Sequence, residues 1–353
     1  MRKIIIIILS LWYGLPVYAL PPMPEAISNN AVAVAINGKQ RHLCSFFGLM
    51  GNKKYDGVTN RAWCVDIDAD DDWQEVSPVP VKSGRLASTA VSIAGKIYVF
   101  GGYTVAADGH EVSTPEVVQY NPITNQYKRR ADMPVPVDDS VAVTWHNRYI
   151  IFISGWHQKD NVQKVQVYDA LENRWHVNSD YPGVAVFGHF ASVSENHILV
   201  CDGVKVVVDK KDAKKRSFVA SDECWRGNIT DAKAQNIKWS KITHHNRPSR
   251  YRAASHVLGS KALVIGGSEN PYNYNGIGYD GIPSQPVSDV IAYDFVNNTW
   301  SSYDSGTTAG MDYRGAFQLG SEVCTVGGML ANQKLTAEVI CRAQRSPVVT
   351  FNR

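Results

Sequence analysis

Short hydrophobic runs recur along the chain, each at nearly the same distance behind an aromatic residue. Five runs end at or beside a glycine and cover residues 97–102, 150–155, 198–203, 263–267 and 323–328. Trp73 precedes the end of the first run, Gly101, by 28 residues. Tyr127, Trp175, Trp239 and Trp300 precede the ends of the others, Ser154, Asp202, Gly266 and Gly327, by 27. A fixed spacing of this kind is an internal repeat, and a period near 50 residues predicts a ring or array of β-sheets.

A second spacing supports the same architecture. Three runs are followed by a tyrosine and, seven residues later, by another aromatic residue: Tyr120 and Tyr127, Tyr168 and Trp175, Tyr293 and Trp300. The intervening segments are rich in turn-forming residues, which predicts hairpins between two strands. This order of strands resembles the kelch repeat. The resemblance implies an all-β, six-bladed kelch β-propeller whose four-stranded blades surround a central channel.

The ends of the chain predict how the ring closes. Phe47-Gly48 ends the second strand of the first blade, but no aromatic residue stands 27 positions before Phe47. Residues 347–351 form a spare apolar strand after the sixth blade. We therefore expect this C-terminal segment to supply the missing outer strand beside the N-terminal repeat. Pairing of the N- and C-terminal segments would then leave no open sheet edge at the ring seam.

Residues 1–19 have the pattern of a secretory signal peptide. Arg2 and Lys3 precede the apolar run 4–12, and Val17-Tyr18-Ala19 is a small-residue cleavage site. We expect a periplasmic or secreted protein whose residues 20–353 form a single domain; an uncleaved anchor is the alternative. Without the two signal cations, 34 basic residues face 33 acidic ones. This balance gives no electrostatic basis for binding nucleic acid, or a membrane after signal removal.

The six cysteines fall on paired strands of three blades. Cys44, Cys201 and Cys324 lie on second strands, and all three have the same strand parity. Neighbouring antiparallel strands bring such positions within bonding distance of a cysteine on the third strand. The expected disulfides are Cys44–Cys64, Cys201–Cys224 and Cys324–Cys341, with free buried thiols as the alternative. Because no cysteine or histidine group has zinc spacing, we expect no metal and no cofactor.

Cationic residues stand near the predicted start of four inner strands, at one rim of the ring. They are Arg85, His189, Arg252 and Arg314. Converging guanidinium groups favour a carboxylate or another anion. The alternative is that these residues pair with backbone carbonyls or with carboxylates of neighbouring blades.

A long loop of the fifth blade is expected at the same rim. Residues 268–281 concentrate tyrosine and asparagine on a glycine-rich backbone and include Tyr272, Asn273 and Tyr279. Tyrosine faces stack on sugar rings, and asparagine amides match pairs of hydroxyl groups. The composition therefore suits a carbohydrate, while an ordinary surface loop is the alternative.

Three segments resemble the bacterial sialic acid mutarotase (N-acetylneuraminate epimerase) family. They are the proline-rich lead 20–24, residues 236–241 of the fourth blade and the loop residues 272–281. The resemblance implies a small acidic sugar or glycan as ligand and interconversion of the anomers of sialic acid. The family carries a glutamate and a following arginine just after the fourth second strand. Here Asp202 stands at that place, and the next arginine is Arg216.

Mutarotation requires a base for the anomeric hydroxyl and an acid for the ring oxygen. Asp202 or Glu269 could be the base, and His189 or Tyr279 the acid. Arg252 or Arg314 could hold the sugar carboxylate. One alternative is a non-catalytic propeller that binds a carbohydrate or a protein partner. A copper oxidase resembling galactose oxidase is disfavoured, because all six cysteines have partners and His244-His245 follows an outer strand.

Overall fold

The computed structural model describes residues 20–343 apart from residues 70, 210, 213 and 214, and also residues 349–351. The described chain folds into six antiparallel blades around a central channel, which confirms the predicted all-β, six-bladed kelch propeller. The predicted signal segment, residues 1–19, lies outside the described residues. Within the described part, no helix is long and apolar enough to span a bilayer.

The first three blades contain strands β1–β16. Blade one consists of β1 (Ala31–Asn37), β2 (Gln40–Phe46), β3 (Ala62–Asp66) and β4 (Gln74–Val76), with a 3-10 turn at Tyr55–Gly57. Blade two consists of β5 (Thr89–Ile93), β6 (Lys96–Phe100), β9 (Val117–Asn121) and β10 (Gln126–Arg129), with the extra hairpin β7 (Tyr103–Val105) and β8 (Glu111–Ser113). Blade three consists of β11 (Val141–Trp145), β12 (Tyr149–Ile153), β15 (Lys164–Asp169) and β16 (Arg174–Asp180), with the short hairpin β13 (Trp156–His157) and β14 (Asp160–Asn161).

The other three blades contain strands β17–β30. Blade four consists of β17 (Phe190–Ser194), β18 (His197–Cys201), β21 (Cys224–Ile229) and β22 (Ile237–Ile242), with the hairpin β19 (Val204–Val208) and β20 (Arg216–Ala220). Blade five consists of β23 (Ala254–Leu258), β24 (Lys261–Ile265), β25 (Asp289–Asp294), β26 (Thr299–Asp304) and β30 (Val349–Phe351). Blade six has three described strands, β27 (Phe317–Leu319), β28 (Glu322–Val326) and β29 (Val339–Ala343), and a 3-10 turn at Ala331–Gln333.

The repeated aromatic residues connect each blade to the segment that precedes it. Tyr168 lies directly opposite Trp175 on the neighbouring strand, as the seven-residue spacing predicts. The indole Nε1–H of Trp175 donates to the carbonyl oxygen of Ala131 at 2.9 Å, and that of Trp300 donates to Thr243 at 2.8 Å. These two partly buried bonds tie the outer strands of blades three and five to the segments that follow the preceding blades.

The second glycine of each repeat is required by a close backbone approach. Gly102 has φ +82°, and a Cβ there would lie 2.6 Å from the carbonyl oxygen of Leu86. Gly328 has φ +96°, and its Cβ would lie 2.7 Å from the carbonyl oxygen of Met311. A side chain would combine backbone strain with a steric clash at either position. The glycine therefore lets the end of each second strand pack against the residue before the inner strand.

Backbone hydrogen bonds pass from blade to blade around the channel. The N–H of Asp139 donates to Ala87 at 3.1 Å, that of Gly188 to Asp139 at 2.7 Å, and that of Arg252 to Gly188 at 2.8 Å. The N–H of Tyr313 donates to the carbonyl oxygen of Arg252 at 3.2 Å, and the N–H of Asn29 donates to that of Asp312 at 3.2 Å. This inner ring of bonds fixes the positions of the residues at one end of the channel.

The ring seam is closed by the N-terminal segment and blade six. The N–H of Gly328 donates to Ile27 at 2.8 Å, and that of Met23 donates to Ala337 at 2.8 Å. The C-terminal strand does not form the outer strand of this seam: β30 pairs with β26 of blade five. The predicted position was therefore wrong for residues 349–351, the described part of this segment, because an apolar strand can pair with any available sheet edge.

Three cysteine pairs lie directly opposite each other in the strand register. The structure joins Cys44 to Cys64, Cys201 to Cys224 and Cys324 to Cys341, with Cα–Cα distances of 4.1, 4.2 and 4.0 Å. Each pair links the second and third strands of one blade. This arrangement agrees with the pairing expected from strand parity.

Candidate functional site

The inner strands of all six blades border a channel cavity of about 930 Å³. One end lies among the turns that join inner and second strands and is bordered by Ile36, Gly95, Asn147 and Gly320. The other end is bordered by Ser140, His189, Arg252 and Arg314, which we call the inner end. A cavity of this size can enclose a small ligand. Two of the predicted anion-binding arginines and the predicted histidine thus border one cavity.

The carboxylate of Asp139 is the centre of the polar network at the inner end. Arg252 donates to it through Nε at 2.9 Å and Nη2 at 2.6 Å, and Tyr251 donates through its hydroxyl at 3.0 Å. Arg314 forms an ion pair with the same carboxylate. Arg252 also donates through Nη1 to Asp312 at 3.1 Å. These contacts tie blades three, five and six together across the axis.

The contacts of Arg252 match the alternative of internal pairing more closely than the expected ligand clamp. Its guanidinium group is buried, its donors contact two internal carboxylates, and its charge lies over the rings of Tyr251 and Tyr272. A ligand carboxylate would have to compete with Asp139 and Asp312 for the same donors. Pairing with internal carboxylates was the alternative considered for these cations, and Asp139 and Asp312 are the partners of Arg252.

The rim at the inner end is covered rather than open. A buried apolar cluster includes Tyr251, Tyr272, Met311 and Met329, none of them more than 1% exposed. Tyr272 thus packs over the polar network. Tyr279 is half-buried and stacks on Phe218 of the blade-four hairpin, with ring centroids 4.2 Å apart. The blade-five loop and this hairpin together close the predicted bowl.

Two other predicted rim residues lie outside this cover. Asn273 is exposed, and its amide donates to Ile277 within the same loop at 3.4 Å. The side chain of Glu269 is 47% exposed and pairs with Arg250 at 3.0 Å. Glu269 is not among the residues that border the channel cavity, whereas His189 is.

Arg85 lies away from the channel, between blades one and two. Its Nη1 donates to the carbonyl oxygen of Gly101 at 3.1 Å, Nη2 pairs with Glu116 at 2.7 Å, and its charge lies over the ring of Phe47. Ala87 takes part in the inner ring of backbone hydrogen bonds, as Asp139 and Arg252 do. Ala87, and not Arg85, is therefore the equivalent position in blade two. The sequence argument treated arginines at unlike positions of the repeat as equivalent, and Arg85 is corrected to a contact between blades.

Asp202 likewise makes internal contacts, and its expected role as the base stays a prediction. Its side chain is fully buried and accepts the backbone N–H of Arg250 at 2.7 Å. It also contacts Nε2 of His244 at 2.8 Å and Nε2 of His245 at 3.0 Å. Burial alone would raise the pKa of Asp202, but the neighbouring His245 and the hydrogen bonds of both histidines lower it overall. The carboxylate does not border the channel cavity.

Asp202, His244 and His245 also have a composition that could hold a metal ion. The backbone N–H of Arg247 donates to Nδ1 of His245 at 3.2 Å. Nδ1 is then the acceptor, so the neutral ring carries its proton on Nε2 and donates it to Asp202. His245 consequently has no lone pair facing an ion at this place. The geometry fits a hydrogen-bonded tie between β18 and the segment after β22.

His189 remains a candidate for proton transfer because it borders the cavity. Its Nε2–H donates to the carbonyl oxygen of Ile153 at 2.9 Å, which leaves Nδ1 as an acceptor. Burial lowers the pKa of His189 to about 4, against the opposing effects of the Ile153 carbonyl and the Asp202 charge. The ring is therefore neutral near pH 7 and can accept a proton but cannot serve as a cationic acid.

Comparison with known proteins agrees with the architecture. The kelch motif matches residues 84–134 and 249–305. The solved structure of YjhT superposes with a TM-score of 0.71 at 16% identity, covering 94% of this chain and 99% of that one. The chain is therefore a six-bladed β-propeller that contains kelch motifs.

The curated relatives of this kelch propeller fall into two groups. Kelch-like protein 25 of Xenopus tropicalis is 27% identical over 143 residues, which are 39% of this chain and 24% of that protein. The chain thus spans about a quarter of the length of that relative. N-acetylneuraminate epimerase of Salmonella arizonae is 22% identical over 366 aligned positions, covering 91% of this chain and 89% of that protein.

Sequence reasoning did not establish which carboxylates pair with the arginines at the inner end of this kelch propeller. Asp139 and Asp312 are buried partners of the arginines. Asp138 accepts a hydrogen bond from the hydroxyl group of Ser113 at 2.5 Å. Burial raises the pKa of Asp138 to about 7. The doublet Asp138-Asp139, just before β11, was the available signal. An acidic residue at this position lies close to the arginines that precede the inner strands of other blades.

Proposed function

We propose that this kelch propeller is a periplasmic or secreted protein that binds an acidic sugar, sialic acid foremost, and interconverts its anomers. The observation that carries the proposal is the extent of one similarity. N-acetylneuraminate epimerases align over 91% of the chain and 89% of their own length, whereas Kelch-like protein 25 aligns over 39% of the chain. The shared length includes every blade and not only the kelch motifs.

The channel supplies groups that suit this chemistry. Arg314 brings a cation to the inner end, and a guanidinium group matches a sugar carboxylate. The neutral His189 offers Nδ1 as an acceptor for the anomeric hydroxyl proton. With Asp202 and Arg252 held in internal contacts, His189 and Arg314 are the expected residues that stay available for this role.

The extracytoplasmic location is part of the proposal and has two supports. Residues 1–19 have the composition of a secretory signal. Three disulfides fit an oxidising compartment, because thiols are kept reduced in the cytosol.

A proton NMR time course tests the catalytic proposal. Freshly released α-N-acetylneuraminate is followed as it converts to the β anomer, with purified protein and without it. The proposal predicts conversion far above the spontaneous rate, and predicts that His189→Gln reduces the rate at least about tenfold. Unchanged conversion together with unshifted, unbroadened sugar signals would exclude both sialate turnover and appreciable binding.

A non-catalytic sugar- or protein-binding propeller is the second candidate. It is favoured by the low pKa of His189, because a base with a pKa of about 4 removes a hydroxyl proton poorly near pH 7. In the same NMR experiment this candidate predicts sugar signals that shift or broaden while the anomer ratio follows the spontaneous rate.

A further inference from the structure

The basic residues of the chain are concentrated in the blade-four hairpin β19–β20. Residues 204–220 contain six basic and two acidic residues, whereas residues 20–203 and 221–353 together contain 28 basic and 31 acidic ones. The described cations of the hairpin form no ion pair with a described residue; they are Lys205, Lys211, Lys215 and Arg216. A nearly neutral protein therefore carries one strongly basic hairpin.

The same hairpin exposes apolar side chains. Val207, Val208 and Val219 are 44%, 46% and 41% exposed. Lys205 lies opposite Val219 in the strand register, and Val207 lies opposite Ser217. Because a strand alternates its faces, these four residues share one face, which we call the outer face of the hairpin. The outer face thus combines valine with lysine.

The other face of the hairpin packs on the rim. The ring of Phe218 stacks on Tyr279 with centroids 4.2 Å apart, and its centroid lies 5.9 Å from that of Trp156. The disulfide between Cys201 and Cys224 joins the strands just before and just after the hairpin. The hairpin is therefore fixed at its base and on one face, and its outer face and tip remain accessible.

A bilayer with anionic headgroups matches both parts of this surface. Each lysine or arginine near such a bilayer raises the affinity about fivefold, and apolar side chains enter the boundary between headgroups and acyl chains. A soluble polyanion would leave the valines in water. Protein interfaces are depleted in lysine and enriched in aromatic residues. The composition of the hairpin therefore favours a lipid surface over either of these partners.

We propose that the hairpin β19–β20 docks the protein on an anionic phospholipid bilayer. Lys211 and Lys215 at the tip contact lipid phosphates, and Val207 and Val219 enter the headgroup region. Binding is peripheral and reversible, because three valines bury little apolar area and salt screens the charges. The docking surface lies outside the channel and does not depend on sialate binding.

Vesicle sedimentation tests the proposal with the processed protein, residues 20–353, which includes every described residue. Vesicles of mixed phosphatidylglycerol and phosphatidylcholine are compared with vesicles of phosphatidylcholine alone. The proposal predicts saturable binding to the mixed vesicles, at least about tenfold weaker binding to phosphatidylcholine, and release at high salt. A failure to sediment with the mixed vesicles at low salt would overturn it. Binding to heparin without binding to vesicles would overturn it as well and assign the hairpin to soluble polyanions.

Charge reversal at the tip locates the contact. The double variant Lys211→Glu with Lys215→Glu is expected to bind the mixed vesicles at least about tenfold more weakly. The matched control is Lys39→Glu with Lys128→Glu, which changes the net charge equally at exposed positions outside the hairpin. Equal weakening by the two pairs would show that net charge alone drives binding, and would contradict a docking site on the hairpin.

Substitution of the valines separates apolar insertion from charge. Val207→Thr with Val219→Thr keeps the branched side chains that suit a strand and should weaken binding at least about threefold at constant charge. The control is Ile123→Thr with Leu171→Thr, at exposed turns of blades two and three. Thermal unfolding verifies that each variant is folded. Unchanged binding of the valine variant would mean that the cations act alone, and would contradict docking on a bilayer.

Discussion

Burial shifts the pKa values of two residues beside the polar network in opposite directions. It lowers the pKa of His189 to about 4 and raises that of Asp138 to about 7. Each group therefore favours its neutral form in the folded protein. Because unfolding returns both to ordinary values, their contributions to stability depend on pH with opposite signs.

His189→Gln should remove a stability loss that develops in acid. The unfolded chain binds a proton at His189 below about pH 6.5, whereas the folded chain does so only near pH 4. Native stability is therefore lost as the pH falls from 6.5 to 4, by about 3 kcal/mol for this group. Urea unfolding at several pH values should show a shallower acid loss in the variant. A stability difference that does not change with pH would contradict the assignment.

Asp138→Asn should show the opposite dependence. The folded protein holds the Asp138 proton up to about pH 7, so this group destabilises the fold progressively from pH 4 to pH 7, by about 4 kcal/mol at most. The asparagine variant should gain stability relative to the native protein as the pH rises through that range. The control is Asp108→Asn, on an exposed turn, whose pH profile should match the native one. Parallel profiles for Asp138→Asn and the native protein would reject the raised pKa.

At the scale of elements, the second glycine of each repeat is tested by Gly203→Ala. Gly203 has φ +80°, and a Cβ there would lie 2.6 Å from Cβ of His189 and 2.8 Å from the carbonyl oxygen of Phe187. Gly109→Ala is the matched control, because Gly109 has φ +81° and nothing within 4 Å of its Cβ position. Backbone strain costs about 1–3 kcal/mol in both variants. Denaturant unfolding should show an additional loss of at least about 1 kcal/mol in Gly203→Ala, and equal losses would contradict the packing argument.

The strands of the repeat show which features the sequence could predict and which it could not. Strand ends and opposed aromatic pairs, such as Tyr168 and Trp175, follow from spacing because a strand alternates its faces every residue. The site does not follow, because a shift of two positions moves Arg85 from the channel to a contact between blades. Asp202 is a further case. It directly follows β18 at a left-handed position with φ 67°, and its side chain contacts His244 and His245 and does not border the channel.

At the scale of the whole molecule, Asp139→Asn tests whether one carboxylate ties the blades together. The change removes the shared negative charge and leaves Arg252 and Arg314 buried near each other. Breaking a buried ion pair in this way costs about 3–5 kcal/mol. Asp169→Asn is the control, since its partner Arg148 is 33% exposed and solvent screens the pair. Thermal and urea unfolding should show a much larger loss for Asp139→Asn, and similar losses would refute its role at the axis.

The ring as a whole has one covered and one open end, and this asymmetry is the central claim. A crystal structure of the protein with N-acetylneuraminate tests it most directly. The account predicts the sugar inside the channel, with its carboxylate within hydrogen-bond distance of Arg314 and its ring beside His189. A sugar bound above Tyr272 and Tyr279 at the rim, with the channel containing only water, would contradict it.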